Sequence, residues 1–113
     1  TQGDAVMELE KVLEGIGIPV KYYEYAGVKP EYIVYNEEAE QPADYGDNDS
    51  ECHITWWQVH IFTPKTGKFR EYKKTAETAL RKAGFTVTDI RTLYETETKT
   101  IHVVLSCHEE REE

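Results

Sequence analysis

The histidines and cysteines are the side chains of this sequence that could form a metal site. The chain has four histidines and two cysteines, and two adjacent pairs stand out, Cys52-His53 and Cys107-His108. Neighbouring residues in a strand point to opposite faces of a sheet, so each pair offers one ligand to any given site. The combination of C-x₂₋₄-C with H-x₃₋₅-H spacing that is typical of zinc sites is absent. We therefore predict no metal, no cofactor and reduced thiols.

His60 and His102 are the candidates for a general base. The only serines, Ser50 and Ser106, stand in no nucleophile motif, and no glycine-rich phosphate loop is present. A lone histidine in a strand is more often a hydrogen-bonded sheet residue than a catalyst. We therefore predict no catalytic residue. The alternative, a small metal-dependent enzyme, would have to use these two histidines together with an acidic loop.

The segment 36–51 holds seven acidic residues and no basic one. Its aspartates lack the D-x-D-x-D-G order of a calcium loop, although the sequence leaves open whether they bind a divalent cation. We predict an acidic flexible loop, kept extended by self-repulsion, that becomes ordered against a basic patch on a partner. The candidate interface residues in this loop are Asp44, Tyr45, Asp47 and Asp49. The closing segment 109–113 is predicted to be a solvated acidic tail.

The elements that position these residues follow from hydrophobic periodicity. At 113 residues the chain fits a single domain. We predict an α+β fold with the order α-β-β-β-α-β-β, in which both helices pack on one face of a mostly antiparallel sheet of about five strands. The predicted helices are 5–14 and 68–83, and the predicted strands are 20–25, 32–35, 52–63, 85–93 and 100–107.

Adjacent tryptophans in the longest predicted strand must point to opposite faces of the sheet. With helices on one side only, one face of this strand is left as an apolar patch, which is typical of subunit interfaces unless a loop covers it. The sequence does not decide which face that is, so Trp56, Trp57, Val59 and Ile61 are all candidate interface residues.

Charge is distributed unevenly along the chain. The formal net charge is −9 and the isoelectric point is about 4.9. This balance disfavours nucleic-acid binding through a basic face and binding to anionic membranes. No apolar run approaches the roughly 20 residues needed to span a bilayer. Basic residues are concentrated in the second helix, where Lys73 and Lys74 are candidate interface residues.

Several phrases of this sequence together resemble a known family. They are IPVKYY at 18–23, PEYIVYN at 30–36, ADY at 43–45, QVHIFT at 58–63 and AGF at 83–85. Over about residues 4–108 the chain resembles the tail terminator and tail-completion (head–tail joining) proteins of long-tailed bacteriophages and prophages. These phrases are patterns of fold and carry no catalytic signature.

The resemblance implies a structural virion protein of the tail or neck, assembled in the host bacterial cytoplasm. It implies a homo-oligomeric ring, commonly of six subunits, at the head-proximal end of the tail tube. Its partners would be the tail tube protein and the head connector protein. The interfaces implied by position are 52–62 and 36–51. The terminator and joining roles, and the oligomeric state in isolation, stay open. The main alternative is a monomeric ferredoxin-like protein-binding module.

Overall fold

A computed structural model describes the chain over residues 2–43 and 52–112. The order of its elements confirms the predicted α+β class and the predicted order of helices and strands. The helices are α1 (Gln2–Glu14) and α2 (Phe69–Lys82), and the strands are β1 (Val20–Tyr22), β2 (Tyr32–Ala43), β3 (Cys52–Pro64), β4 (Thr86–Glu95) and β5 (Thr100–Glu112). Neither helix in this part of the chain is long and apolar enough to cross a membrane.

The five strands form one sheet in the order β1-β2-β3-β5-β4. The short edge strand β1 runs parallel to β2, and every other neighbouring pair is antiparallel. The chain crosses from β3 to β4 through α2, and β5 then returns between β3 and β4. This arrangement makes β3 and β5 the central strands of the sheet.

Alternation along β3 decides which face of the sheet carries the helices. Trp57, Val59 and Ile61 are fully buried, and the buried helix residues Leu9 and Leu80 belong to the same core cluster. Because side chains alternate along a strand, the even-numbered residues of β3 lie on the opposite side. That side has no helix over it, and we call it the open face.

A glycine ends α2 and turns the chain into β4. Gly84 has a φ of 95°, a left-handed conformation that glycine adopts without a steric penalty. Its amide donates to the carbonyl of Arg81, and the amide of Phe85 donates to the carbonyl of Leu80. These bonds satisfy carbonyls at the end of the helix and place Phe85, which is buried, against the core.

Three strand ends differ clearly from the sequence prediction. The segment 36–43, predicted as part of a loop, continues β2 and pairs with β3 as far as Ala43 opposite Cys52. The segment 109–112, predicted as a tail, continues β5 opposite 52–55, and Glu109 is only 8% exposed. The predicted strand 20–25 ends at Tyr22, because Tyr23 takes a φ of 67° that breaks the extended chain. The remainder of the predicted loop, 44–51, lies outside the described residues.

The extra length of these strands forms a projection that we call the arm, consisting of 38–43, 52–56 and 109–112. β1 pairs only with 33–35 of β2, and β4 begins at Thr86 opposite His108. Both edge strands therefore stop before the arm, which continues as three strands. The molecule is correspondingly elongated, with principal extents of 53 × 24 × 22 Å.

Candidate functional site

Aromatic rings cross the open face from strand to strand. Tyr25 stacks on Tyr32 at 4.5 Å between ring centroids, Tyr32 on Phe62 at 4.9 Å, and Phe62 on His102 at 4.3 Å. Each ring comes from a neighbouring segment of the sheet, so the stack ties the loop after β1 to β2, β3 and β5. Stacked aromatic pairs contribute roughly 0.5–1.5 kcal/mol beyond their buried area. The open face is therefore an ordered surface.

A chain of polar contacts runs through the same region. His60 Nδ1 lies 2.8 Å from His102 Nε2, and His60 Nε2 lies 3.0 Å from Asn36 Oδ1. His102 Nδ1 lies 3.5 Å from Glu95 Oε1. The amide nitrogen of Asn36 donates to the carbonyl of Glu37 at 3.2 Å, which directs its oxygen towards His60. One asparagine, two imidazoles and one carboxylate thus connect β2, β3, β5 and β4.

Burial lowers the pKa of both imidazoles. For His60 the first cause is desolvation, and the nearby His102 lowers the pKa further. For His102 desolvation is again the largest cause, while Glu95 acts in the opposite direction by favouring the charged ring. Both rings are consequently biased towards the neutral form near neutral pH.

These groups line an open groove of about 310 Å³. Its lining consists of Tyr23, Tyr25, Tyr32, Val34, Asn36, His60, Phe62 and His102. In the residues that the structure describes, no three His, Cys, Asp or Glu side chains converge as a metal cluster. The groove therefore offers aromatic surface and two imidazoles, accessible from solvent.

The structure separates the candidate interface residues of β3. Trp57, Val59 and Ile61 have no exposed surface and lie in the core under the helices, so they are not available on the surface of this chain. Trp56 lies on the open face, where its ring is 4.4 Å from that of His108. Of the two faces that the sequence left open, the one with Trp56 is therefore the free one.

The remaining candidates lie elsewhere. Lys74 is exposed on α2, and Lys73 Nζ donates to Thr92 Oγ1 at 3.2 Å. Asp44, Tyr45, Asp47 and Asp49 lie outside the described residues.

Cys107 carries a free thiol in the core, and burial, followed by the charge of Glu109, raises its pKa to about 12. This thiol is therefore a poor nucleophile.

The sequence interpretation missed Asn36, Glu95 and the aromatic partners of the histidines. It assigned His60 and His102 to strands, but it left out how those strands are aligned. His60 pairs with Val104 and His102 pairs with Phe62, so the two histidines are diagonal neighbours on one face. A predicted register of β3 against β5 would have been the signal that brings them together.

Comparison with known proteins bears on the family. The family model "Tail completion protein gp17" matches residues 7–108. No curated protein matches the chain. Among solved structures, the fold is similar to that of a chain in the virion of a native gene transfer agent particle. The two are 15% identical with a TM-score of 0.63, and the match covers 96% of this chain and 92% of that chain.

Two structures from Akkermansia muciniphila are also similar. One matches at 12% identity and a TM-score of 0.55, over 97% of this chain and 48% of that one. The other, determined without its transmembrane region, matches at 13% identity and a TM-score of 0.52, over 99% of this chain and 55% of that one. The chain thus spans about half of each, and at such identities these likenesses, like that to the virion chain, concern the fold alone.

The match of the family model extends over nearly the whole chain, and it confirms the resemblance found in the sequence phrases. The matched segment includes β3, β5 as far as His108, α2 and the histidine pair of the open face. This protein belongs to the tail completion protein family, a family of structural proteins of bacteriophage tails.

Proposed function

We propose that this protein forms a ring at the head-proximal end of the phage tail tube, where it ends tube growth or joins the tail to the head connector. Following the family resemblance, we expect six subunits. The observation that carries the proposal is the separation of opposite charges on one chain. An acidic arm projects from one part of the molecule, and a basic helix lies on another part.

The arm is rich in acidic residues. It includes five glutamates and one arginine. Glu38 and Glu40 are exposed on β2, and Glu110 is exposed on β5. Neither edge strand covers the arm, so the outer backbone edges of β2 and β5 are left unpaired there, next to these three exposed glutamates.

Helix α2 carries the opposite charge. It contains five basic and two acidic residues, and the salt bridge of 2.9 Å between Arg81 and Glu77 uses one of each. Arg70, Lys74 and Lys82 are exposed. The apolar side of α2 faces the core through Ala76 and Leu80, so these cations are presented to solvent.

Two different complementary patches on one chain favour a head-to-tail contact. Such a contact repeats from copy to copy and closes into a ring when the rotation between neighbours allows it. In the proposed assembly the arm of each subunit docks on α2 of the next. Charge complementarity would steer the encounter and fix the orientation of the neighbours.

The first experiment measures mass by light scattering on the size-exclusion peak, over several protein concentrations and at low and moderate salt. Lys73→Glu combined with Lys74→Glu should weaken self-association. Exposed ion pairs contribute roughly 0.2–1 kcal/mol each, so losing two and adding repulsion should raise the dissociation constant about fivefold to a hundredfold. Moderate salt should also weaken association of the unmodified protein.

The matched control reverses two lysines outside α2 and the arm. Lys29→Glu with Lys99→Glu gives the same net charge at exposed positions and should leave the mass unchanged. Adding Glu38→Lys and Glu40→Lys on the arm to the α2 double variant should restore association. An α2 variant with unchanged mass, or a control that dissociates equally, would count against this interface.

A protein that is monomeric under all of these conditions leaves two readings of the fold. Small ring proteins can require a template, in which case purified tail tubes or head connectors should bind the monomer and order it into a ring. Failure to bind either one would instead favour the monomeric ferredoxin-like binding module. Binding to the tube, to the connector or to both would separate the terminator role from the joining role.

A further inference from the structure

The two imidazoles of the open face are arranged so that their outer nitrogens have oxygen acceptors and their inner nitrogens face each other. His60 Nε2 is 3.0 Å from Asn36 Oδ1, and His102 Nδ1 is 3.5 Å from Glu95 Oε1. The inner atoms, His60 Nδ1 and His102 Nε2, are 2.8 Å apart. Asn36 keeps its oxygen on His60 because its amide nitrogen is bonded to the carbonyl of Glu37.

The acceptors determine where the ring protons lie. An amide oxygen and a carboxylate accept hydrogen bonds, so they favour an N–H on each outer nitrogen. A neutral imidazole has only one N–H, and placing it outward leaves a lone pair on the inner nitrogen. In two neutral rings arranged in this way, both lone pairs point into the same 2.8 Å gap. If one ring instead placed its N–H in the gap, as His102 Nε2–H donating to His60 Nδ1 would, the lone pair of His102 Nδ1 would face the Glu95 carboxylate at 3.5 Å. A cation in the gap lets both outer nitrogens keep their N–H.

A proton or a metal ion could supply that positive charge. A metal ion binds the same nitrogen lone pairs that a proton would occupy, so the two compete for the gap. A proton bonds to one nitrogen and forms one hydrogen bond to the other, whereas a metal ion is bound by both lone pairs at once.

We propose that His60 and His102 bind one divalent transition-metal ion of the zinc, nickel or copper class between His60 Nδ1 and His102 Nε2. Imidazole nitrogen suits these ions, whereas magnesium and calcium prefer oxygen. A histidine that binds a metal usually donates its other N–H to a carboxylate or carbonyl oxygen. Glu95 and Asn36 already occupy those two positions.

The geometry requires only a small adjustment. Two Zn–N bonds of about 2.0–2.1 Å at a near-tetrahedral angle place the nitrogens about 3.3 Å apart, so the rings must separate by roughly half an ångström. The pair lines an open groove, which leaves the other coordination positions accessible to water. No third His, Cys, Asp or Glu joins the pair among the described residues, so the site is an exchangeable one with two protein ligands.

The test titrates Zn²⁺ or Ni²⁺ into metal-free protein at pH 7.5, with calorimetry for stoichiometry and imidazole nitrogen NMR signals for the ligand atoms. We expect one ion per chain, with shifts at His60 Nδ1 and His102 Nε2. Mg²⁺ and Ca²⁺ should leave these signals unchanged. His60→Gln and His102→Gln should each abolish this binding, with folding verified by circular dichroism.

Glu95→Gln tests the same site without removing a ligand atom. Loss of an acceptor behind a metal-bound histidine typically costs about 10–100-fold in affinity, so this variant should bind at least about tenfold more weakly. His108→Gln is the matched control, because His108 lies six residues from His102 on β5, about 20 Å along the strand. It should bind Zn²⁺ as the unmodified protein does.

Two results would overturn the proposal. In the first, the imidazole signals respond to pH but not to millimolar Zn²⁺, which would mean that the gap takes up only a proton. In the second, Zn²⁺ binding survives in the variants that lack His60 or His102, which would place the ion elsewhere on the chain.

Discussion

Trp56 and Trp57 are neighbours in sequence with opposite surroundings, so truncating each one should have unequal effects. Trp57 is fully buried, opposite Cys107 on β5, and its ring centroid is 6.3 Å from that of Tyr35. Trp56 lies on the open face and contacts the ring of His108. The perturbations are Trp57→Ala and Trp56→Ala, which remove the same atoms from two environments.

The expected magnitudes follow from burial. Removing a buried tryptophan typically costs about 3–5 kcal/mol, through lost apolar transfer and the cavity left behind. The indole N–H of Trp57 is buried without a hydrogen-bond partner in the described structure, so no hydrogen bond is lost and the lower half of this range applies. Trp56→Ala leaves no enclosed cavity on the open face, and we expect about 1–2 kcal/mol for the contact area lost.

The assay is urea unfolding at pH 7 followed by far-UV circular dichroism, since both variants change the fluorescence signal itself. The midpoint of Trp57→Ala should fall about 1.5 to 4 times as far as that of Trp56→Ala, with similar slopes. If Trp57→Ala yields too little folded protein, Ile61→Val on the same face should still cost about 0.5–1.5 kcal/mol. Equal losses for the two tryptophans, or a larger loss for Trp56, would refute the assignment of the helix-covered face.

Two further predictions concern pH and the end of α2. The pKa values of His60 and His102 are lowered in the folded protein, so the unfolded chain binds more protons below about pH 6.5. The free energy of unfolding should therefore decrease as the pH falls through that range, by at most about 1.4 kcal/mol per pH unit for each histidine. Urea unfolding from pH 7.5 to 5 should show this slope, and it should flatten when both histidines are changed to glutamine; an equally steep slope in that variant would be evidence against the assignment. Gly84→Ala should lower the free energy of unfolding by about 1–2 kcal/mol because of its φ of 95°, although no atom lies within 4 Å of the added methyl group. Gly15 is equally free of contacts and has no positive φ, so Gly15→Ala should not have this cost. Thermal unfolding compares the two, and equal melting temperatures would contradict the conformational argument.

The order of elements could be predicted because periodicity is a local property of the sequence. In α2, apolar residues recur on one side, and Gly84 marks its end. In β3, apolar residues occur on both faces, so strand type was evident but the buried face was not. Choosing between Trp56 and Trp57 requires knowing where α1 and α2 pack, and that depends on contacts distant in sequence.

The acidic half of β2 could not be predicted for a different reason. Glutamate is depleted in strands, so local propensity favoured a loop over 36–43. The structure pairs this segment with β3, whose length from Cys52 to Pro64 allows the backbone ladder to continue to Ala43. Exposed glutamates are tolerated there, because the backbone hydrogen bonds to β3 do not depend on side-chain polarity.

The histidine pair is likewise a consequence of register. β3 and β5 are separated in sequence by α2 and β4, and a shift of one residue would move His102 to the other face. The observed register places His102 opposite Phe62, next to His60, and β4 brings Glu95 to the same end. Strand assignment alone could therefore identify the histidines without identifying the site that they form.

The two proposals concern different parts of the molecule, which makes their failures distinguishable. The proposed ring contact uses the arm and α2, whereas the proposed metal site lies on the open face among β2, β3, β4 and β5. Reversing the charges of Lys73 and Lys74 should therefore leave Zn²⁺ binding unchanged, and Glu95→Gln should leave the oligomer mass unchanged. If Zn²⁺ did change the mass, the open face would itself have to lie in a contact between subunits. In that case a neighbouring copy could supply the missing ligands, and the Zn²⁺ stoichiometry would be that of the interface.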